Sequence, residues 1–82
     1  MNKIQLNDFV IAIKDCSYLY HPEEFFVLKD RKYRVIATDQ IDIDFPESKE
    51  LGFIILDESN EEHYFRDSYL DVNHLNYLFV IV

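Results

Sequence analysis

The stretch GFIILDESNEEHYFRDSYLDV, residues 52–72, has two apolar and aromatic runs on either side of a short polar segment. FIILD and EHYFR are typical of β-strands, because such side chains suit a pleated, half-buried surface. ESNE between them is typical of a tight turn, since Asn60 readily adopts a positive φ. The stretch therefore predicts a β-hairpin, and DSYLDVNHL, which begins at Asp67, predicts a short helical turn after it.

Strand-like periodicity extends over most of the remaining chain. FVIAIK near the N-terminus, KYRVIAT and QIDIDF in the middle, and NYLFVIV at the C-terminus each predict a strand. CSYLYHPEEFFVL predicts a long irregular first loop, because Pro22 favours a break. We therefore expect one all-β domain over residues 1–82, a small closed or nearly closed barrel of five to six short, mostly antiparallel strands. The last strand would pair with the first.

The alternation within each run predicts which side chains face the core, because successive residues of a strand point to opposite faces. In QIDIDF, the apolar residues would face inward and the carboxylates of Asp42 and Asp44 would face solvent. In FVIAIK, Phe9, Ile11 and Ile13 would share the inner face. The predicted core consists of Ile11, Ile13, Tyr33, Val35, Ile43, Ile55 and Phe65.

The order of these motifs resembles a known architecture. DFVIAIKD, LKDRKYRVI and GFIILDESNEEHYFRDSYLDV follow one another as the first strand, the next turn and strand, and the later hairpin do in SH3-like barrels. In this respect the chain is similar to small, mostly uncharacterised SH3-like barrel proteins of phages and bacteria. It has no Trp, and nothing matches the aromatic pair with which eukaryotic SH3 domains hold proline-rich peptides. The resemblance therefore implies an SH3-like fold and no particular ligand.

The negative charge is concentrated in one part of the chain. Residues 39–62 contain nine acids and one base, Lys49, so this segment alone carries the net charge of −8 that the whole protein has. Such a surface disfavours nucleic acid and anionic membranes as direct partners and favours a basic protein. The predicted partner-binding residues are Asp39, Asp42, Asp44, Glu47, Glu50, Asp57, Glu58, Glu61 and Glu62.

The residue types that act in catalysis or metal binding lack the required spacing. Zinc sites use closely spaced ligands, whereas Cys16 and the three histidines, His21, His63 and His74, are scattered. A calcium loop starting at Asp42 would need Gly where Glu47 stands. We therefore expect no enzyme activity, no cofactor and no metal. The single cysteine and the absence of a signal-peptide pattern predict a cytoplasmic protein.

Two functional hypotheses remain open. In the first, the chain is an inhibitor of the kind that phages and mobile elements encode, and its acidic segment forms one ridge that mimics nucleic acid and blocks a basic site on a host protein. In the second, it is an interaction or structural module, monomeric or homodimeric, that uses an apolar face of the first loop formed by Tyr18, Tyr20, Phe25 and Phe26. An acidic face that only maintains solubility is the alternative to the acidic binding ridge.

Overall fold

The structure is a computed structural model that describes residues 4–82. These residues form seven strands, β1 Phe9–Ala12, β2 Cys16–Tyr18, β3 His21–Val27, β4 Lys32–Ile41, β5 Leu51–Leu56, β6 Glu62–Arg66 and β7 Phe79–Ile81. Two short 3₁₀ turns, Pro46–Ser48 and Asp67–Leu70, lie before β5 and after β6. The predicted all-β class, the hairpin and the helical turn before the last strand are confirmed.

Five strands form an antiparallel sheet in the order β6-β5-β4-β1-β7, and β2 pairs with β3 in a separate two-stranded sheet. The first and last strands pair as predicted, with Val10 opposite Ile81 and Ala12 opposite Phe79. β6 and β7 lie at opposite edges of the large sheet, and no ladder joins them within residues 4–82. The sheet is therefore open, and a closed barrel is not formed.

The first loop is a β-hairpin, so the prediction of an irregular loop is wrong. β2 and β3 pair antiparallel, with two shifts of register between Cys16 and Tyr18. Pro22 does not end the strand, because it is the second residue of β3 in a two-stranded sheet, where a missing backbone N–H is tolerated. Leu19 and Tyr20 form the tip of this hairpin and are exposed.

β4 is the longest strand and pairs with two other strands. Its first residues pair with β1, and the residues from Val35 onward pair with β5. The ladder with β5 shifts register twice between Val35 and Gln40, and Asp39 has a φ of 55°. Such irregularities bend a strand and increase its twist, so β4 can join two parts of the sheet that differ in orientation.

Four residues of the predicted core, Tyr33, Val35, Ile55 and Phe65, are confirmed as buried. The predicted face of β1 is wrong. Val10 and Ala12 are fully buried, whereas Ile11 is half-buried and Ile13 is exposed. Ala12 lies opposite Phe79, and cross-strand partners point to the same face of a sheet. Since Phe79 packs edge-on against Phe53 and Phe65, Ala12 must also face the core.

Gly52, the only glycine, is required by a close approach between β5 and β6. A Cβ at this position would collide with the backbone oxygen of Phe65 and with the ring of Tyr64. The Tyr64 ring therefore covers the glycine, and its hydroxyl donates a hydrogen bond of 3.4 Å to the Gln40 carbonyl. This contact links β6 to the end of β4 across Gly52 of the intervening strand β5.

The inverted face of β1 gives a direct test. Val10→Ala should lower the free energy of unfolding by about 2 kcal/mol, because it removes packed methyl groups and leaves a void. Phe9→Ala, at a neighbouring side chain that is 46% exposed, should cost less than about 1 kcal/mol. Urea denaturation followed by circular dichroism measures both. A larger loss for Phe9→Ala than for Val10→Ala would contradict the observed register.

Candidate protein-binding surface

The turn between β5 and β6 is organised by the carboxylate of Asp57, whose side chain is 1% exposed. Asp57 Oδ1 accepts hydrogen bonds from the N–H groups of Ser59 and Glu61, at 2.9 and 3.1 Å. The Asn60 N–H donates to the Asp57 carbonyl, and Asn60 has a φ of 60°, as its predicted role in the turn requires. Asp57 is therefore a structural residue of the hairpin, and its carboxylate faces inward.

The neighbouring carboxylate, Glu58, ties this turn to the turn between β3 and β4. The Tyr33 hydroxyl donates to Glu58 Oε1 at 2.8 Å and accepts from the Leu28 N–H at 2.7 Å. The Glu58 N–H donates to the Phe26 carbonyl at 2.9 Å, and Arg31 Nη1 lies 3.5 Å from Glu58 Oε2. Glu58 is thus engaged within the domain at both its backbone and its side chain.

A third internal cluster surrounds Arg66. Its Nε and Nη2 donate to Asp42 Oδ2 at 3.2 and 3.1 Å, and its Nη1 donates to Glu50 Oε2 at 3.0 Å. The Phe45 ring centre lies 5.8 Å from the guanidinium carbon. Burial acts to raise the pKa of Asp42, but the Asp44 N–H and the Arg66 guanidinium outweigh it and hold this pKa below its usual value. Arg66 was missed by the sequence analysis, because it lies outside the acidic segment.

The predicted orientation of residues 41–45 is wrong. β4 ends at Ile41, Asp42 is buried, and Ile43 is 90% exposed. Asp42 turns inward because Arg66 and the Asp44 N–H both donate to it, the latter at 2.9 Å. Asp42 and Asp44 therefore do not present paired carboxylates along one strand face.

The outward-facing residues of the 39–51 segment form what we call the loop surface. Its exposed carboxylates belong to Asp39, Asp44, Glu47 and Glu50. Its exposed apolar side chains are Ile41, Ile43, Phe45 and Leu51. Ile41 and Leu51 are cross-strand partners, so these two side chains lie side by side. The acidic segment is thus interleaved with apolar groups that the domain does not bury.

The remaining exposed carboxylates, Glu61 and Glu62, lie at the other end of β5 from the loop surface. β5 has six residues, which correspond to a separation of roughly 17 Å at the usual rise per residue. The nine acids therefore fall into two exposed groups and an inward-facing set, and they do not form the one ridge that mimicry of nucleic acid would use.

The aromatic residues of the first loop also divide. Phe26 stacks on His63 at 4.2 Å between ring centres, His63 stacks on Phe65 at 4.8 Å, and Tyr18 lies 5.1 Å from Phe26. Phe26 thus packs against the core and Tyr18 packs against Phe26, whereas Tyr20 and Phe25 are exposed. Burial lowers the pKa of His63, although Asp57 Oδ2 lies 3.5 Å from its Nδ1 and acts in the opposite direction. At neutral pH His63 is therefore an uncharged ring in an aromatic stack.

A groove of about 400 Å³ lies beside this stack. Residues 63–66 of β6 line it, together with Cys16, Ser17 and Phe26 of the β2–β3 hairpin. Asp42, Tyr69 of the second 3₁₀ turn and Asn76 complete the lining. Burial raises the pKa of the Cys16 thiol, which does not favour a nucleophile. Within residues 4–82, no group of three His, Cys, Asp or Glu side chains has an arrangement that could hold a metal ion.

Comparison of the chain with protein-family models, with curated proteins and with solved structures gives no match. Among the described residues, no helix has the length and apolar character needed to cross a membrane. Three exposed features of the described residues could contact another molecule: the loop surface, the tip of the β2–β3 hairpin and the groove beside β6.

The division of the carboxylates predicts two different effects on stability. Asp57→Ala should lower the free energy of unfolding by about 1–3 kcal/mol, because two N–H groups of the turn lose their acceptor. Neutralising the exposed acids by Asp44→Asn, Glu47→Gln, Glu61→Gln and Glu62→Gln should change it by less than about 0.5 kcal/mol. Urea denaturation compares the two variants with the wild type. Equal stability of all three proteins would show that the Asp57 carboxylate does not organise the turn.

The hydrogen bond and the raised pKa of Tyr33 lead us to expect that the domain loses stability at alkaline pH. Burial and the bond to Glu58 raise the pKa of Tyr33 to about 12, whereas an unfolded tyrosine ionises near ~10. The contribution of protonated Tyr33 to the free energy of unfolding is complete below the pKa of the unfolded state. It is lost as the pH rises from about 10 to about 12, because Tyr33 loses its proton at a lower pH in the unfolded state than in the folded state. Burial also raises the pKa of Tyr64, so the late part of the phenolate absorbance titration should lose one ring in Tyr33→Phe. It should not change in Tyr20→Phe, at an exposed ring. A late phase of unchanged amplitude in Tyr33→Phe would contradict the assignment.

Proposed function

We propose that this chain is a non-enzymatic, cytoplasmic binding domain with an SH3-like arrangement of strands, which docks onto a basic region of another protein through its loop surface. The strand order β6-β5-β4-β1-β7 supports the SH3-like assignment, together with the β2–β3 hairpin between the first two sheet strands and the 3₁₀ turn before the last. Cys16 is a free thiol, as is usual in a reducing compartment.

The observation that carries the proposal is the exposure of Ile43, which is 90%, in the middle of the loop surface. Ile41, Phe45 and Leu51 are also exposed. Small soluble domains rarely expose several large apolar groups together unless another molecule covers them. An apolar centre with a polar rim is the usual composition of a protein–protein interface.

The charge around these apolar groups selects the kind of partner. Asp39, Asp44 and Glu47 are exposed among them, and the chain carries a net charge of −8. Lysine and arginine side chains of a partner would meet these carboxylates at the rim of the interface. Such pairs mainly accelerate association and exclude wrong partners, and the apolar contacts then supply most of the binding free energy.

Inhibition of a host protein is the specific form of this function that we propose to test. A basic nucleic-acid-binding site would attract the loop surface, and a bound domain would exclude the nucleic acid by its volume. This form does not require one continuous acidic ridge, since the carboxylates of the loop surface alone would enter the site. The segregation of the acidic residues in the sequence supports it.

Self-association through the β2–β3 hairpin is a second candidate function. Leu19 and Tyr20 at its tip are 83% and 86% exposed, and Phe25 on β3 is also exposed. A homodimer would bury these groups. Light scattering of the wild type and of Tyr20→Ser distinguishes this candidate, because only self-association through the tip makes the measured mass depend on Tyr20.

The docking proposal is tested with two variants that remove equally exposed apolar side chains. Ile43→Ser alters the loop surface, and Leu75→Ser, at a residue that is 88% exposed, alters the segment before β7. Immobilised wild type should recover a basic protein from a bacterial lysate. Ile43→Ser should recover at least about fivefold less, a loss of ~1 kcal/mol, whereas Leu75→Ser should match the wild type. Equal recovery by all three proteins would refute docking through the loop surface.

The electrostatic and inhibitory parts of the proposal have their own measurements. Asp44→Asn with Glu47→Gln should slow association with the recovered protein, and salt above about 0.15 M should slow the wild type, because the Debye length is then only ~8 Å. Addition of the wild type should also displace a labelled duplex from the recovered protein. If the domain binds the recovered protein without displacing the duplex, the docking proposal stands and the proposed inhibition is refuted.

A further inference from the structure

One side of β6 offers backbone groups that have no strand beside them. The Asp57 N–H donates to the Glu61 carbonyl at 2.9 Å, which fixes the alternation of the β5–β6 ladder. Backbone groups of successive residues in an antiparallel strand point alternately toward the partner and away from it. His63 and Phe65 therefore face β5 with their N–H and C=O groups, and Tyr64 and Arg66 direct their N–H groups outward.

Tyr64 lies at the centre of this edge. β6 pairs only with β5 in the described part of the chain, with Tyr64 opposite Ile54. Within residues 4–82, the N–H and C=O of Tyr64 take part in no backbone hydrogen bond outside the strand ladders. The edge thus has a free donor and a free acceptor at its middle, which is the pattern that an added strand requires.

The groove described above runs along this edge. Residues 63–66 are four consecutive residues of β6, and all four line it. Because alternate side chains of a strand point to opposite faces, a cavity on one face would contact only every second residue. The groove must therefore follow the edge of β6, with Cys16 and Ser17 of β2 also in its wall.

We propose that this groove receives an extended, basic segment of a partner protein, which pairs with β6 as an added strand of the sheet. The backbone of the segment would exchange hydrogen bonds with Tyr64 at the centre. Every second side chain of the segment would lie on the core face of the sheet beside His63 and Phe65, where apolar groups fit. The remaining side chains would lie on the opposite face beside Tyr64 and Arg66. This binding does not depend on the docking proposed for the loop surface.

Charge complementarity selects a basic segment and argues against a second copy of the chain. Arg66 already donates to both Asp42 and Glu50, and Glu62 lies on the same face of β6. Of these charged groups, Asp42 and Arg66 line the groove as an ion pair, while Glu50 and Glu62 lie outside its lining. This side of the sheet edge thus has three carboxylates for one guanidinium. A second copy would bring the same excess of acid and a further net charge of −8, whereas lysine side chains would offset it.

The experiment uses an end-blocked hexapeptide of alternating valine and lysine and the intact chain. Amide hydrogen exchange, followed by NMR, reports on each backbone N–H separately. At saturating peptide, exchange at Tyr64 and Arg66 should slow by at least about tenfold, because these outward N–H groups gain acceptors. Exchange at His63 and Phe65, which bond to β5 already, should change much less. Absence of protection at millimolar peptide would overturn the proposal.

Two controls separate strand addition from other kinds of binding. The same peptide with every amide N-methylated keeps its side chains, charge and carbonyl acceptors, but it cannot donate to the Tyr64 C=O, and its methyl groups prevent the close approach of the two backbones. It should therefore give no protection. Equal protection by the methylated peptide would show side-chain binding in the groove and would refute strand addition. Slower exchange at Tyr64 that depends on protein concentration, without peptide, would instead identify a second copy as the occupant and would also refute the proposal.

Glu62 provides a matched test of the charge argument. Glu62 is exposed and its side chain makes no hydrogen bond or ion pair within the described residues, so Glu62→Lys should fold normally. This variant should bind the valine–lysine peptide at least about threefold more weakly, because a cation then faces a cation across the edge. Glu23→Lys, on an exposed residue of β3, should leave the affinity unchanged. Equal affinities for the wild type and both variants would contradict the choice of a basic segment.

Discussion

The buried carboxylate of Asp57 is the interaction on which the arrangement of this domain depends. By accepting the N–H groups of Ser59 and Glu61, it fixes the turn between β5 and β6 and therefore their register. A slip of one residue would exchange the two faces of β6 and bring Tyr64 into the core in place of Phe65. Glu58, the next residue, then joins this turn to Tyr33, and so couples a local hairpin to a distant part of the chain.

The parts of the fold that the sequence predicts well are those in which local signals agree. Turn chemistry, periodicity and β-branched residues all indicate the β5–β6 hairpin, and the burial of Ile55 and Phe65 follows from its alternation. The face of β1 could not be predicted in this way, because both of its faces are apolar. Its orientation is decided by the contact of Ala12 with Phe79, which lies 67 positions further along the chain and is set by tertiary pairing.

The roles of the acidic residues could not be read from the sequence for a related reason. Nine carboxylates in one segment look alike until their partners are known, and the side chains that bond to Asp42, Glu50 and Glu58 come from outside the segment. Arg66 reaches Asp42 and Glu50 only after β6 has paired with β5, and Tyr33 reaches Glu58 only after β4 has joined the sheet. Asp57 and Asp42 also have local partners, since each accepts a hydrogen bond from the backbone N–H two residues further on, as aspartates at turns commonly do.

The same internal contacts bear on the binding that we propose for the exposed surfaces. Arg66 holds Asp42 and Glu50 at the two ends of the loop between β4 and β5, and Phe45 lies against its guanidinium. A loop that is tied at both ends loses less conformational freedom when a partner covers it, and the free energy of its apolar contacts is then available for affinity. Arg66 also belongs to β6 and lines the groove. The same side chain therefore anchors the loop surface and forms part of the groove wall. The two proposed binding features therefore lie next to each other on one framework, which a few ionic contacts keep in place.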